Sequence, residues 1–158
     1  MKREEFVRRV EGNQRAFRRF LVALCCGDSA LADDIAQESL MRAYLSCDGM
    51  RDADRFRTWL YRIGFNTFIN SRRTQTIVED YDQALSVMAE DSADDGFKYQ
   101  ALYAALNRIP ERERTSILLY YMEGYSIHEI SGIVNVPEGT VRQHMLRGRN
   151  HLRELLKK

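Results

Sequence analysis

Apolar residues recur along this chain at spacings of three and four, the repeat of helices buried on one side. Phe6, Val7 and Val10 open such a stripe, and Phe17, Phe20, Leu21 and Leu24 continue it. Gly27 then suits a helix end, and Asp28 or Ser29 suits the cap of the next helix. That second helix holds Leu31, Ile35, Leu40, Ala43, Tyr44 and Leu45, and is expected to stop near Cys47-Asp48-Gly49. A third is predicted from about Asp52–Asp54 to about Arg73, with Phe56, Trp59, Leu60, Ile63, Phe65, Phe68 and Ile69 as its apolar set. Further on, one helix is expected from about Phe97 to Arg108. Pro110 suits the first turn of another that runs to Glu123, where Gly124 ends it. Ser126–Val134 and Glu138–Leu156 read as a last pair. No sustained period-two alternation appears, so the expected fold class is all-α.

Charge divides the chain where the apolar pattern fades. The 158 residues carry 24 Lys+Arg and 23 Asp+Glu, a net charge of +1. Residues 1–73 sum to +4, residues 74–96 to −7, and residues 97–158 to +4. The middle block holds Glu79, Asp80, Asp82, Glu90, Asp91, Asp94 and Asp95 and no basic residue. A run of one sign repels itself and stays solvated, so it reads as a linker between two small helical domains. Fully stretched, it reaches up to roughly 80 Å.

The last pair of helices carries the sharpest chemistry. Asn135-Val136-Pro137 is a tight turn between them, which gives a helix-turn-helix layout. Stepping 100° per residue from Val141 places Met145, Gly148, Leu152, Leu155 and Leu156 on the buried side. The opposite side holds Arg142, Gln143, Leu146, Arg147, Asn150 and Arg153. Arg and Gln make bidentate bonds to guanine and adenine edges, and a stray Leu on a polar face suits a thymine methyl. Residues 142–158 hold six basic side chains against one Glu, which suits phosphate.

Gly139-Thr140-Val141-Arg142, preceded by Tyr125-Ser126-Ile127-His128-Glu129-Ile130 and followed by Arg147-Gly148-Arg149, resembles region 4 of the sigma-70 family. Arg108-Ile109-Pro110-Glu111-Arg112-Glu113-Arg114 is similar to the lead-in of that region. Ala32-Asp33-Asp34-Ile35-Ala36-Gln37-Glu38 resembles region 2.2, and Phe56-Arg57-Thr58-Trp59-Leu60-Tyr61-Arg62-Ile63-Gly64-Phe65-Asn66 resembles regions 2.3 and 2.4. Both matches stand in family order across nearly the whole chain. A short chain with only these two regions looks like an extracytoplasmic-function sigma factor. The resemblance implies region 2 over 1–73, an acidic linker over 74–96 and region 4 over 97–158.

It also implies roles. Asp33, Asp34, Gln37 and Glu38 match positions that dock on the β′ coiled coil of core RNA polymerase, and region 4 implies contact with the β flap. Arg55, Arg57, Trp59, Arg62, Asn66, Arg72 and Arg73 fall where the family binds and opens the minus-ten element. Interleaved aromatic and basic groups fit that task, since unstacked bases need flat surfaces and their backbone needs cations. Phe56 and Trp59 share a face with Ile63, so packing is their main expected use. Ser46–Asp54 corresponds to the family's base-reading loop. Arg142, Gln143, Leu146 and Arg147 match the readers of the minus-thirty-five element, with Thr140 and Arg149 as phosphate contacts. Gln143 and His144 replace the small and basic residues usual after the first basic one, which alters the promoter sequence expected and not the binding mode. Asn135 stands where Gly is usual and tolerates the same left-handed backbone. The linker is expected either to thread a basic polymerase cleft or to act as a plain tether. An anti-sigma factor is a further implied partner.

Other readings are narrower. A helix-turn-helix regulator acting without polymerase needs no region 2. A small enzyme built on the Asp33, Asp34 and Glu38 carboxylates lacks any neighbouring nucleophile or metal motif. Cys25, Cys26 and Cys47 have neither disulfide-framework nor zinc spacing, which suits reduced thiols in a cytoplasmic protein. His144 and His151, seven apart, read as boundary residues of the last helix. The longest apolar run, Phe20–Cys26, is far short of the roughly 20 residues of a membrane span, and Met1-Lys2-Arg3-Glu4-Glu5 does not open a secretory signal. No cofactor, metal, small-molecule substrate or membrane insertion is expected.

Overall fold

The computed structural model describes residues 1–78 and 100–157, and these are all-α. The helices are α1 (Arg3–Leu24), α2 (Ser29–Ser46), α3 (Phe56–Val78), α4 (Gln100–Leu106), α5 (Glu111–Ile117), α6 (Ile127–Val134) and α7 (Glu138–Leu156). Two 3-10 turns, Cys47–Gly49 and Ala53–Arg55, join α2 to α3, and a π turn, Leu118–Met122, extends α5.

The first module is α1–α3. Phe17, Phe20, Leu21 and Leu24 lie on one side of α1 because their spacing is helical, and all are buried. They meet Ile35 of α2 and Phe56, Leu60, Tyr61 and Phe68 of α3. Cys26 (φ 55°) and Gly27 (φ 93°) reverse the chain in the left-handed region. The Asp28 carboxylate then accepts the Leu31 N–H at 3.0 Å and starts α2. Val7, assigned to the stripe by spacing, is 49% exposed and faces water.

α3 departs from its expected end. It passes Arg73 and continues to Val78, so the first five residues of the expected linker are helical. No Gly or Pro stands between Gly64 and Gly96, and nothing in the sequence stops the helix at Arg73. The remaining linker residues up to 96, and Phe97–Tyr99 of the next expected helix, lie outside the described residues.

In the second module α6 and α7 fold against α5. Ile130, Ile133, Val134, Val141 and Met145 are buried, with Leu106, Ile109, Ile117 and Leu119 beneath them. At Gly148 a Cβ would collide with the Ile117 side chain and lie 3.2 Å from Glu113 Cβ, so only glycine lets α7 come this close to α5. Leu156, expected on the buried side, is 43% exposed at the end of α7.

The two modules share one apolar cluster. The Arg114 guanidinium, buried at the seam, donates to the carbonyls of Leu106 (2.9 Å) and Ile109 (3.3 Å) in its own module and of Leu24 (2.9 Å) in the other. Tyr61 of α3 lies edge-on to Tyr125, with ring centroids 5.3 Å apart. Sequence patterning gave no sign of this seam, because each helix has its own buried side within its module.

Candidate nucleic-acid interface

α7 is aimed by the short segment in front of it. The Ser126 hydroxyl accepts the Glu129 N–H (3.1 Å), and the Glu129 carboxylate accepts the Ser126 N–H (2.9 Å), which closes a capping box on α6. Asn135 ends α6 at φ 60°, ψ 49°, the left-handed geometry expected of it. The Ser131 hydroxyl donates to the Val136 carbonyl at 2.6 Å and ties α6 to the turn.

Past the turn, Arg142, Gln143, Leu146, Arg147, Asn150 and Arg153 are all exposed, while Val141, Met145 and Gly148 are buried. Leu146, 53% exposed, is the apolar member of this polar face. Arg142 lies 3.6 Å from Glu138, which also meets His128 Nδ1 at 2.9 Å. Thr140 is half-buried beside the first turn, where the helix dipole favours anions. Arg149 is half-buried and donates to the Tyr121 hydroxyl at 3.4 Å.

The α3 set divides in two. At 100° per residue, Arg62, Asn66 and Arg73 fall on one stripe, and all three are exposed. Trp59 stands half-buried beside that stripe, its ring 5.7 Å from Phe56. Arg55, on the preceding 3-10 turn, is exposed and lies 3.5 Å from Asp52. Arg57 and Arg72 lie on the flank that faces the second module. Arg57 donates to the Glu123 carbonyl (3.4 Å), lies 3.6 Å from the Glu123 carboxylate and sits 4.8 Å over the Tyr125 ring. Arg72 donates through Nε to Glu111. Spacing alone could have revealed this division, but not the carboxylates on its far side.

A cleft of about 580 Å³ runs between the two arginine sets. Arg72, Arg73, Arg112 and Arg147 line it with His144, Glu111 and Glu113. His144 is half-buried, and its Nδ1 has no hydrogen-bond partner among the described residues. Burial holds this imidazole below its ordinary pKa, against the pull of Glu113. His151, in contrast, is exposed and meets Glu113 at 2.8 Å. Burial also pushes the Cys25 thiol up to about 12, with the Asp28 charge adding to it, so it stays protonated. Among the described residues no group of three or more His, Cys, Asp or Glu could hold a metal ion, and no helix is long and apolar enough to cross a membrane.

The acidic edge of α2 lies on the outer surface. Asp33 receives Arg18 at 2.7 Å, and Glu38 pairs with Arg42 one turn on. Asp34 and Gln37 are exposed between them. Met41 (62% exposed) and Leu45 (72%) continue the line that starts at Asp34 and Glu38. Sequence reading placed Leu45 with the buried set, although the 34, 38, 41, 45 spacing puts it on the polar edge.

Two family models match the chain: Sigma-70 region 2 over residues 9–77 and Sigma-70, region 4 over residues 99–152. The chain is 33% identical over 141 residues to the ECF RNA polymerase sigma factor SigW of Bacillus subtilis (strain 168), covering 80% of this chain and 75% of that protein. It is 29% identical to the RNA polymerase sigma-H factor of Pseudomonas aeruginosa, covering 97% and 93%. Its fold superposes on the sigma factor RpoE of Bartonella quintana, solved in complex with the anti-sigma factor NepR, with a TM-score of 0.83, 27% identity and 98% of each chain covered.

Proposed function

The chain belongs to the sigma-70 family, in its extracytoplasmic-function branch, and from that premise we propose how its surfaces divide the work of transcription initiation. The α2 edge of Asp33, Asp34, Gln37 and Glu38 docks on the β′ coiled coil of core RNA polymerase, and the second module meets the β flap. The exposed α3 stripe and the loop ahead of it hold the opened minus-ten strand. Arg62 and Arg73 bind phosphate, Asn66 offers both a donor and an acceptor to a base, and Trp59 offers a ring edge. α7 enters the major groove of the minus-thirty-five element. There Arg142, Gln143, Leu146 and Arg147 read base edges while Thr140 and Arg149 fix register on phosphates.

Region 2 corresponds to residues 1–73 and region 4 to 97–158, with α3 running a little past the first boundary. Chemistry at the growing RNA belongs to the polymerase, and this chain supplies binding and strand separation in the cytoplasm. An anti-sigma factor is a further partner, of the kind found in complex with the Bartonella relative. The observation that carries this reading is the ordered pair of modules, the first with an exposed acidic edge and the second with an exposed reading helix. A regulator working without polymerase has no use for the first.

Size-exclusion co-elution with bacterial core RNA polymerase tests it without knowledge of the promoter. Sub-micromolar association is expected, with Asp34→Ala weakening it by about tenfold or more, roughly 1.4 kcal/mol. Folded chain that fails to associate would refute the assignment.

A further inference from the structure

We propose that Glu138 is the positioning residue for Arg142: held from behind by His128, its carboxylate presets the guanidinium that reads guanine in the minus-thirty-five element. The inference rests on the reading role of α7 given above and adds a residue which that role did not include. Glu138 opens α7 and is half-buried, while His128 and Arg142 on either side of it are exposed. Its Oε2 lies 2.9 Å from His128 Nδ1 on α6, and its Oε1 lies 3.6 Å from Nη2 of Arg142, one turn further along α7. A carboxylate only accepts, so His128 Nδ1 carries the proton in this contact. One side chain thus spans the two helices of the helix-turn-helix, with one oxygen fixed on α6 and the other turned to the first reader on α7.

Each part of this relay answers a physical need. A long, exposed arginine samples many rotamers, and a guanidinium already held in one of them loses less freedom on binding. Glutamate is flexible too, and a lone Glu138 would swing as freely as the arginine it is meant to hold. The contact with His128, ten residues back on the neighbouring helix, removes that freedom. The guanidinium fork has enough N–H donors to grip guanine O6 and N7 while another stays on Glu138. A carboxylate in the first turn also meets the helix dipole, and that effect alone would stabilise α7 without touching base choice. The dipole, however, calls for neither His128 nor Arg142.

The test uses holoenzyme assembled from core RNA polymerase and the full-length chain, with a pool of randomised duplex DNA as probe. Bound duplexes are recovered and sequenced, which gives the base preference at every position without knowledge of the promoter. Arg142→Ala is expected to flatten a guanine preference at one position. Glu138→Ala should lower that same preference by about three- to tenfold: an exposed pair one turn apart is worth about twofold, and a duplex that excludes water strengthens it. Other positions should stay near wild type. His128→Ala should act at the same position by less. Adding Glu138→Ala to Arg142→Ala should change nothing further there, since the two residues act as one. Glu138→Asp keeps a charge on the first turn but withdraws it by one methylene. It should melt with wild type and still lose guanine preference.

The proposal is overturned if Glu138→Ala leaves the Arg142 position unchanged, or lowers every position together with the melting midpoint. It is also overturned if Glu138→Ala alters a position that Arg142→Ala does not, because Glu138 is then a reader in its own right. Glu138→Asp with wild-type preference overturns it as well, since charge without contact then suffices. In all of these outcomes, Arg142→Ala flattening one position leaves the reading role of α7 standing. Arg142→Ala without effect at any position removes Arg142 as a reader, and the proposal with it.

Discussion

Replacing Arg114 with Met removes the group that ties the seam to both modules while keeping most of its volume. Arg114 is 3% exposed and serves three carbonyls, those of Leu24, Leu106 and Ile109. Leaving a buried acceptor unpaired costs about 1–3 kcal/mol; the Leu106 carbonyl keeps the Ile109 N–H (3.4 Å) and the Leu24 carbonyl the Cys26 thiol (3.8 Å), both long contacts, so the three losses together fall below about 9 kcal/mol. Against this, the variant no longer desolvates a guanidinium, which returns several kcal/mol. The balance is a loss of about 3 kcal/mol, the low end of the cost of removing one member of a buried charged set. For a chain of this size that lowers the melting midpoint by about 6–12 °C. The assay is urea and thermal unfolding tracked in parallel by far-UV circular dichroism and Trp fluorescence. Trp59 reports on the first module, whereas helicity reports on both. Because one of the three bonds crosses the seam, the Met variant is expected to separate the two transitions, with helicity lost first. Arg114→Lys, which keeps the charge without the fork, should fall between wild type and Met. A Met variant within about 0.5 kcal/mol of wild type, with coincident transitions, would remove Arg114 as the tie between modules. It would mean that the desolvation cost of the guanidinium equals all that its three bonds return.

Gly148→Ala sets helix propensity, a gain of about 1 kcal/mol, against an overpacking cost of about 1–3 kcal/mol where the new Cβ meets Ile117. A net loss is expected by chemical denaturation. It should shrink in an Ile117→Val background, which lacks the colliding methyl, and a stabilised single variant would show that α7 has room to spare. His144 gives a pH dependence. Its pKa is held down in the folded chain by burial, so below about 6.5 the unfolded chain takes up the proton first and stability falls as the pH drops. The urea midpoint should fall less between pH 7 and pH 5.5 in His144→Gln than in wild type, and equal slopes would eliminate His144 as the cause.

Much of this was legible in the residues. The polar face of α7 comes from 100° steps, and Arg142, Gln143, Leu146, Arg147, Asn150 and Arg153, the residues placed on it, are all exposed. Asn135 announced its left-handed geometry, and Asp28 its cap. The features that escaped share a physical cause. Arg57, Arg72, Arg114 and Glu123 belong to amphipathic helices whose charged sides read as solvated. That they meet one another depends on how two separately legible modules pack, over sequence separations that helical spacing does not span. Leu45 and Val7 were misplaced for the opposite reason, since apolar residues can stand on a helix edge that is not buried within the chain.

The closure of α6 at both ends by its own neighbours has an evolutionary consequence. Ser126, Glu129, Ser131 and Asn135 set the angle at which α7 leaves the turn, through hydrogen bonds and a left-handed residue that lie within the second module. The aim of α7 and the side chains it presents are therefore written in separate groups of residues. Drift at Gln143 or Leu146 can change the exposed face of α7 while its aim is inherited unchanged.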